Sequence, residues 1–221
     1  MPLQPLVGRK KELADVLRLV RLDGVRLVTV TGPDGVGKTR FAVEVVIELS
    51  DGVGAVLLDD ATSRDAADRR DAVVIATSGS RLGAPGERTY PLRPLAESPA
   101  VELFRRRADA ASPGFDATYG ELAALCRRLG RLPLAIELVA ARGPDALREP
   151  IETTWTLQAA IAWSYGRLKE REKVALTALS VDTGAEVDPA DLAELVRLGL
   201  VTSTGPGVEI HSAIREFVAS V

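Results

Sequence analysis

The chain has 221 residues, 46% of them hydrophobic and 4% aromatic, with 28 Lys and Arg against 31 Asp and Glu for a formal net charge of -3. That is enough apolar material for about two or three packed units, and the negative balance excludes a general electrostatic pull toward nucleic acid, although the excess of arginine over lysine leaves room for a local patch. No apolar run reaches about 18 residues and the first residues carry no apolar core flanked by charge, so neither a membrane span nor a signal peptide is expected and the expected compartment is the cytoplasm.

In chain order, Arg26 to Thr31 is a short apolar, β-branched run, and the glycine-rich stretch after it leads into Arg40 to Leu49, whose apolar positions suit a buried helix. A second run, Gly54 to Leu58, ends in Asp59 and Asp60; a third, Ala72 to Thr77, ends in Ser78. Strands alternating with helical segments read as an α/β fold with a parallel sheet, over residues 1–95.

The character changes after Pro91 and Pro94. Ser98-Pro99 reads as a helix start, Thr118 with Glu121 forms a capping-box pattern, Gly130 marks a helix stop, Pro133 opens the next helix and Gly143-Pro144 closes it. Residues 96–150 are therefore expected as a small helical subdomain. The one cysteine, Cys126, falls among apolar residues of a predicted helix and reads as an inert buried thiol. Beyond a linker containing Pro150, Thr156 to Tyr165, Lys169 to Leu179 and Pro189 to Leu198 look helical. Leu200 to Thr204 and Val208 to Ile210 then flank Gly205-Pro206-Gly207 as a hairpin. Three helices and a hairpin over 151–221 suggest a winged-helix unit.

The sharpest signal is Gly32-Pro33-Asp34-Gly35-Val36-Gly37-Lys38-Thr39, which matches G-x-x-x-x-G-K-[ST] at every fixed position and stands between a predicted strand and a predicted helix. Glycines let consecutive backbone N–H groups turn inward around phosphates, and the helix N-terminus adds favourable potential. Lys38 reaches the β and γ oxygens and the Thr39 hydroxyl ligates Mg2+. Arg40, next in line, is counted with the nucleotide-binding residues. A P-loop site also takes an acid from the end of a neighbouring strand to hold Mg2+ through water. Asp59 is the candidate, with Asp60 beside it as a weaker candidate for orienting water; two aspartates after a strand can equally serve as a turn and helix cap.

With the phosphate loop placed, the chain resembles the NB-ARC type of STAND-class P-loop NTPases, found in bacterial SARP and LuxR-like regulators and in immune and apoptotic switches. Leu6-Val7-Gly8-Arg9 with Glu12-Leu13 looks like the family's adenine-side motif, which implies that the backbone near Val7 meets the base with Arg9 close by. Gly130-Arg131-Leu132-Pro133-Leu134-Ala135 is similar to its G-L-P-L-A motif, which implies that Pro133 packs on adenine. Ala76-Thr77-Ser78 resembles the sensor strand, but Gly79 stands where the family has arginine and Arg81 comes two residues later; Arg81 reads as a γ-phosphate sensor or as a solvated loop residue.

Trp163-Ser164-Tyr165 and Leu168 look like the family's winged-helix part, and Ile210-His211-Ser212 stands at its Met-His-Asp motif. The resemblance implies that His211, the only histidine, touches the β-phosphate of ADP; taken alone, a histidine at a helix start reads as a cap or core residue. One strand lies between the phosphate-loop helix and the sensor strand where the family has two. Asp51-Gly52-Val53 resembles the approach to the family's second strand, an edge strand. Leu57-Leu58-Asp59-Asp60 resembles the inner, acid-bearing one. Losing an edge strand leaves the others paired, so the sheet is expected to be shortened at its edge, with Asp59 kept.

The resemblance implies an ATP/ADP switch, closed with ADP and open with ATP, of slow or no turnover, working through other protein domains or self-association. The chain reads as a fragment or a minimal switch. The alternatives are an active P-loop ATPase or small-molecule kinase, and a winged-helix DNA-binding module. Against the last, Thr202 to Glu209 carries no basic residue and Arg105-Arg106-Arg107 reads as the wet face of a helix.

Overall fold

The β-branched run near the start becomes the interior of a sheet. β1 (Leu27–Thr31) buries four of its five residues, as a strand covered on both faces must. It pairs in parallel with β3 (Val73–Ser78) on one side and β4 (Glu87–Pro91) on the other, and β2 (Ala55–Leu58) pairs in parallel with β3, giving the order β2-β3-β1-β4. The computed structural model describes residues 6–50, 52, 54–62, 65, 72–144, 156–204 and 207–221. The Pro150 linker, the Gly205-Pro206 turn and residues 51 and 53 lie outside them. The sheet is the shortened parallel one expected, with β2 at its edge and hydrogen-bonded directly to β3.

Two elements of this part give little signal in the sequence. β4 reads Glu-Arg-Thr-Tyr-Pro, with two charges, a proline and no apolar alternation; it is tolerated because it lies at the other edge of the sheet. α1 (Lys10–Arg21) is half charged and buries only Val16 and Val20. α2 (Lys38–Ser50) starts two residues ahead of the expected Arg40 and buries Phe41, Ala42, Val45 and Leu49, one stripe of a 3.6-residue repeat. Tyr90 of β4 joins these pieces. Its ring stacks on Phe41 with centroids 6.1 Å apart, and its hydroxyl donates to Asp15 Oδ2 at 3.2 Å. Burial and the Asp15 carboxylate push the phenol up to about 12.

The connection from β3 to β4 crosses β1 in residues 79–86 with no helix, shorter than a parallel crossover usually needs. It succeeds because Leu82 and Ala84 themselves cover the sheet, packing with Leu27, Val74, Ala76, Leu58 and Ala61.

The chain divides into two compact units, Pro5–Leu95 and Ala96–Val221. The second opens with α3 (Glu97–Ala111), α4 (Tyr119–Arg128) and α5 (Pro133–Ala140). Thr118 and Glu121 form the expected capping box on α4. α3 opens around Ser98-Pro99 as expected, with both residues in its first turn; the N-cap is Ala96, without a side-chain bond.

Next come α6 (Leu157–Tyr165), α7 (Glu170–Val181), α8 (Pro189–Arg197), the antiparallel pair β5 (Thr202–Thr204) and β6 (Gly207–Glu209), and α9 (Ser212–Ser220). The hairpin is shorter than expected because Leu200 and Val201 belong to the turn that closes α8. Gly199 takes φ +74°, the Leu200 N–H returns to Leu195 O at 3.0 Å, and both side chains are buried.

Arginines fasten these helices by their C-terminal carbonyls. Arg107 Nη2 donates to Arg197 O at 3.3 Å, Arg142 Nη2 to Ser164 O at 2.7 Å, and Arg197 Nη1 to Ala141 O at 3.2 Å. Arg107 thus leaves the wet face assigned to it, while Arg105 and Arg106 remain exposed. Among the described residues no helix is long and apolar enough to cross a membrane.

Cys126 is fully buried on α4, and burial, with the nearby Glu97 charge, pushes its thiol up to about 12. The folded protein should therefore stay unlabelled by a thiol reagent at pH 8 and react with one equivalent after denaturation. Rapid labelling of the folded chain would contradict this packing.

Candidate functional site

The turn between β1 and α2 is shaped by glycines that no other residue replaces without strain. Gly32, Gly35 and Gly37 take φ of +147°, +73° and +89°. At Gly32 a β-carbon would stand 2.5 Å from Leu92 O and 3.2 Å from Val36 Cγ1. Leu92 is fixed there because its N–H donates to Thr31 O at 2.7 Å, continuing the β4 ladder past its last residue. Val36 is buried under the loop and its N–H donates to Pro33 O at 3.3 Å, and α2 opens with a bond from Phe41 N–H to Gly37 O at 3.0 Å.

Lys38 lies inside this turn, only 9% exposed. Its Nζ donates to Gly32 O at 3.0 Å, Pro33 O at 3.4 Å and Asp34 Oδ1 at 3.3 Å. Thr39 Oγ1 donates to Asp59 Oδ1 at 2.8 Å, so the acid after β2 stands beside the threonine of the loop. Sequence reasoning missed how Asp59 is held. The fully buried Thr77 hydroxyl donates to the same Asp59 Oδ1 at 2.5 Å and accepts from the Asp60 N–H at 3.0 Å. Ala61 N–H donates to Thr77 O at 2.9 Å. These bonds hold Asp60 in a left-handed turn, φ +47°, with its side chain exposed. A polar residue near the end of the sensor strand was the only hint of this in the sequence.

Arg9 is 4% exposed, and its guanidinium donates to Val36 O at 3.2 Å, Arg93 O at 2.8 Å and Glu12 Oε1 at 3.0 Å. It therefore binds the backbone of the loop and of the segment after β4 to the start of α1. Val7 is half-buried next to Gly8, whose φ is +67°, and Arg40 is half-buried in the first turn of α2.

Arg81 is not drawn to the loop. Its Nε meets Glu87 Oε2 at 3.4 Å, and the same carboxylate accepts from Leu82 N–H at 2.9 Å and Gly83 N–H at 2.7 Å. Glu87 is level with Leu27 at the start of β1, four residues before Thr31, roughly 13 Å down the strand from the edge that carries the loop. Burial alone would raise the Glu87 pKa, but the bonds from Leu82, Gly83 and Arg81 outweigh it and hold the carboxyl below its usual value.

Pro133 and His211 belong to the second unit. Pro133 is the first residue of α5, half-buried, after a turn with positive φ at Gly130 and Arg131. His211 is the exposed N-cap of α9, its Nδ1 accepting from the Ala213 N–H at 3.2 Å. Among the described residues no three His, Cys, Asp or Glu side chains cluster as a metal site.

No family model matches the chain. It is 27% identical over 266 residues to an uncharacterized protein of Mycobacterium tuberculosis, covering 82% of this chain and 66% of that one. It is 28% identical to a second M. tuberculosis protein, named "Putative HTH-type transcriptional regulator", covering 78% of this chain and 30% of the other. The first alignment is longer than this chain, so the relative carries segments with no counterpart here. Among solved structures, the chain matches a Signal Transduction ATPase with Numerous Domains from Pyrococcus horikoshii that has a tetratricopeptide repeat sensor. The TM-score is 0.72 at 18% identity, over 98% of this chain and 42% of that one. The fold is that of the STAND proteins, as the resemblance implied, and the chain spans less than half of the solved protein and of the named regulator.

Two outcomes follow from this geometry. Arg9→Met should cost about 2–4 kcal/mol in urea unfolding, because the buried Val36 carbonyl, the partly buried Arg93 carbonyl and Glu12 lose their donor, and Arg9→Lys should recover only part of it. Glu87 has a lowered folded pKa, so its contribution is complete above the ordinary value of 4.5 and is lost as pH falls through the lowered one. Acid unfolding followed by circular dichroism should show Glu87→Gln changing less than the parent over that range; equal slopes would count against the assignment.

Proposed function

We propose that the chain is a nucleotide-dependent regulatory module, in which residues 32–39 hold ATP or ADP with Mg2+ and the bound nucleotide sets a signalling state. One observation carries the reading: a glycine turn with three positive-φ positions, a lysine buried within it, and a threonine hydrogen-bonded to the acid at the end of β2. The phosphate oxygens take the loop amides and the α2 N-terminus as donors, and Lys38 supplies the charge.

The donor set suits Mg2+ held partly by phosphate: the Thr39 hydroxyl oxygen keeps a lone pair while donating its proton to Asp59, and Asp59 keeps Oδ2 for a metal-bound water. The ion, when bound, would be held by Thr39 and, through water, by Asp59, and would neutralise phosphate charge. Arg9 keeps the loop in shape from behind through Val36 O. In this reading Val7 and Pro133 serve the adenine and His211 the diphosphate, as the family resemblance implies, while Arg81, engaged by Glu87, takes no part in the form described.

Turnover is slow or absent on this reading. The residue after Asp59 is an aspartate in a left-handed turn, not a longer acid able to reach a water. A regulatory role is supported by the STAND fold and by the name of the HTH-type relative.

The protein as purified should contain adenine nucleotide, ADP in the main, released on denaturation and identified by chromatography. Lys38→Ala should contain little and should lose at least about tenfold in affinity for added nucleotide. A purified chain that neither carries nor binds ATP or ADP at millimolar concentration with Mg2+ would refute the proposal.

A further inference from the structure

The phosphate loop contains its own acid. Asp34, the third residue of the turn, places Oδ1 3.3 Å from Lys38 Nζ, and the two differ sharply in surroundings: Lys38 is 9% exposed and Asp34 64%. The other two acceptors on that ammonium are the carbonyls of Gly32 and Pro33, so Asp34 brings the one full negative charge among these three acceptors.

We propose that Asp34 is an internal counter-ion that competes with nucleotide phosphate for Lys38 and so lowers the affinity of this loop for polyphosphate. The inference rests on the phosphate-loop reading given above. The chemistry is an exchange of one anion for another. When a diphosphate or triphosphate approaches Lys38, the Asp34 carboxylate must give up the ammonium and then remains close to the incoming oxygens, a like charge at short range. Because Asp34 is exposed, it can swing into water, so the opposition is moderate and screened by salt rather than prohibitive. It acts on phosphate charge alone, which makes Asp34 a residue that tunes how tightly nucleotide is retained.

The residue can be changed without disturbing the turn. Asp34 is not among the positive-φ positions and its side chain is largely in solvent, so asparagine and alanine both fit.

The test is calorimetric titration of the full chain and of Asp34→Asn and Asp34→Ala, freed of nucleotide, with ADP, ATP and adenosine in the presence of Mg2+. Titrations are run at about 0.05 M and about 0.5 M salt. Both variants should bind ADP and ATP about three- to tenfold more tightly than the parent at low salt, with the gain shrinking at high salt. Adenosine, which has no phosphate, should bind all three alike. Binding seen only in the variants would be the extreme form of the expected result.

Unchanged or weaker ADP and ATP binding in both variants, with the parent binding normally, would overturn the inference and leave the phosphate-loop reading intact. An equal gain for adenosine would also overturn it, since the effect would not depend on phosphate. Absence of nucleotide binding in all three chains would sink both readings together.

Discussion

The carbonyl of Leu92 lies where a β-carbon on residue 32 would have to stand, and the phosphate loop depends on that close approach. Backbone of β4's end is packed on one side of the turn, and the Arg9 guanidinium is bonded on another, through Val36 O and Arg93 O. The loop is therefore held by main chain and by a buried cation rather than by side-chain packing alone. This explains why a polar edge strand such as β4 is retained at all: it supplies the carbonyl and the ladder that fix where β1 must turn.

At the other edge of the sheet the acid is fixed by a different device. β2 has four residues and one partner strand, so its own ladder would locate Asp59 poorly. The buried Thr77 hydroxyl makes up for this by bonding Asp59 Oδ1 and the Asp60 N–H together, and Thr39 completes the contact from α2. A short sheet can thus still set an acid from one strand beside a threonine from another element. The constraint comes from two hydroxyls and not from sheet width.

The parts legible in the sequence were those with local causes. Gly32 through Thr39 declares its turn by residue type, and β1 and β3 are apolar because both faces are covered; Thr118 with Glu121 declares a cap. The parts that stayed hidden depend on partners distant in sequence. β4 has no pattern because its strand character comes from pairing with β1, and α1 shows only Val16 and Val20 to the core. Thr77 looks like any β-branched strand residue until its hydroxyl is seen between Asp59 and Asp60. Leu200 and Val201 read as strand because buried apolar residues do not announce whether they end a helix. Arg81 follows the sensor strand closely, but its direction is set by Glu87, a carboxylate six residues on that also gathers two amides.

The two halves of the site differ in their access to water, and that difference bears on what the proposed nucleotide would experience. Lys38 and Val36 are buried while Asp34 and Thr39 are exposed, so on the proposed reading the ammonium that meets phosphate is poorly hydrated, where each electrostatic contact counts for more. Asp59 and Asp60 are exposed at the sheet edge, where water screens them and no neighbouring strand closes over them among the described residues. Transition-state stabilisation needs preorganised groups in a dry site, whereas binding needs only a sufficient sum of contacts. On the proposed reading, a site with a buried lysine and an exposed acid favours retention of nucleotide over its rapid cleavage, the balance that a switch requires and a turnover enzyme does not.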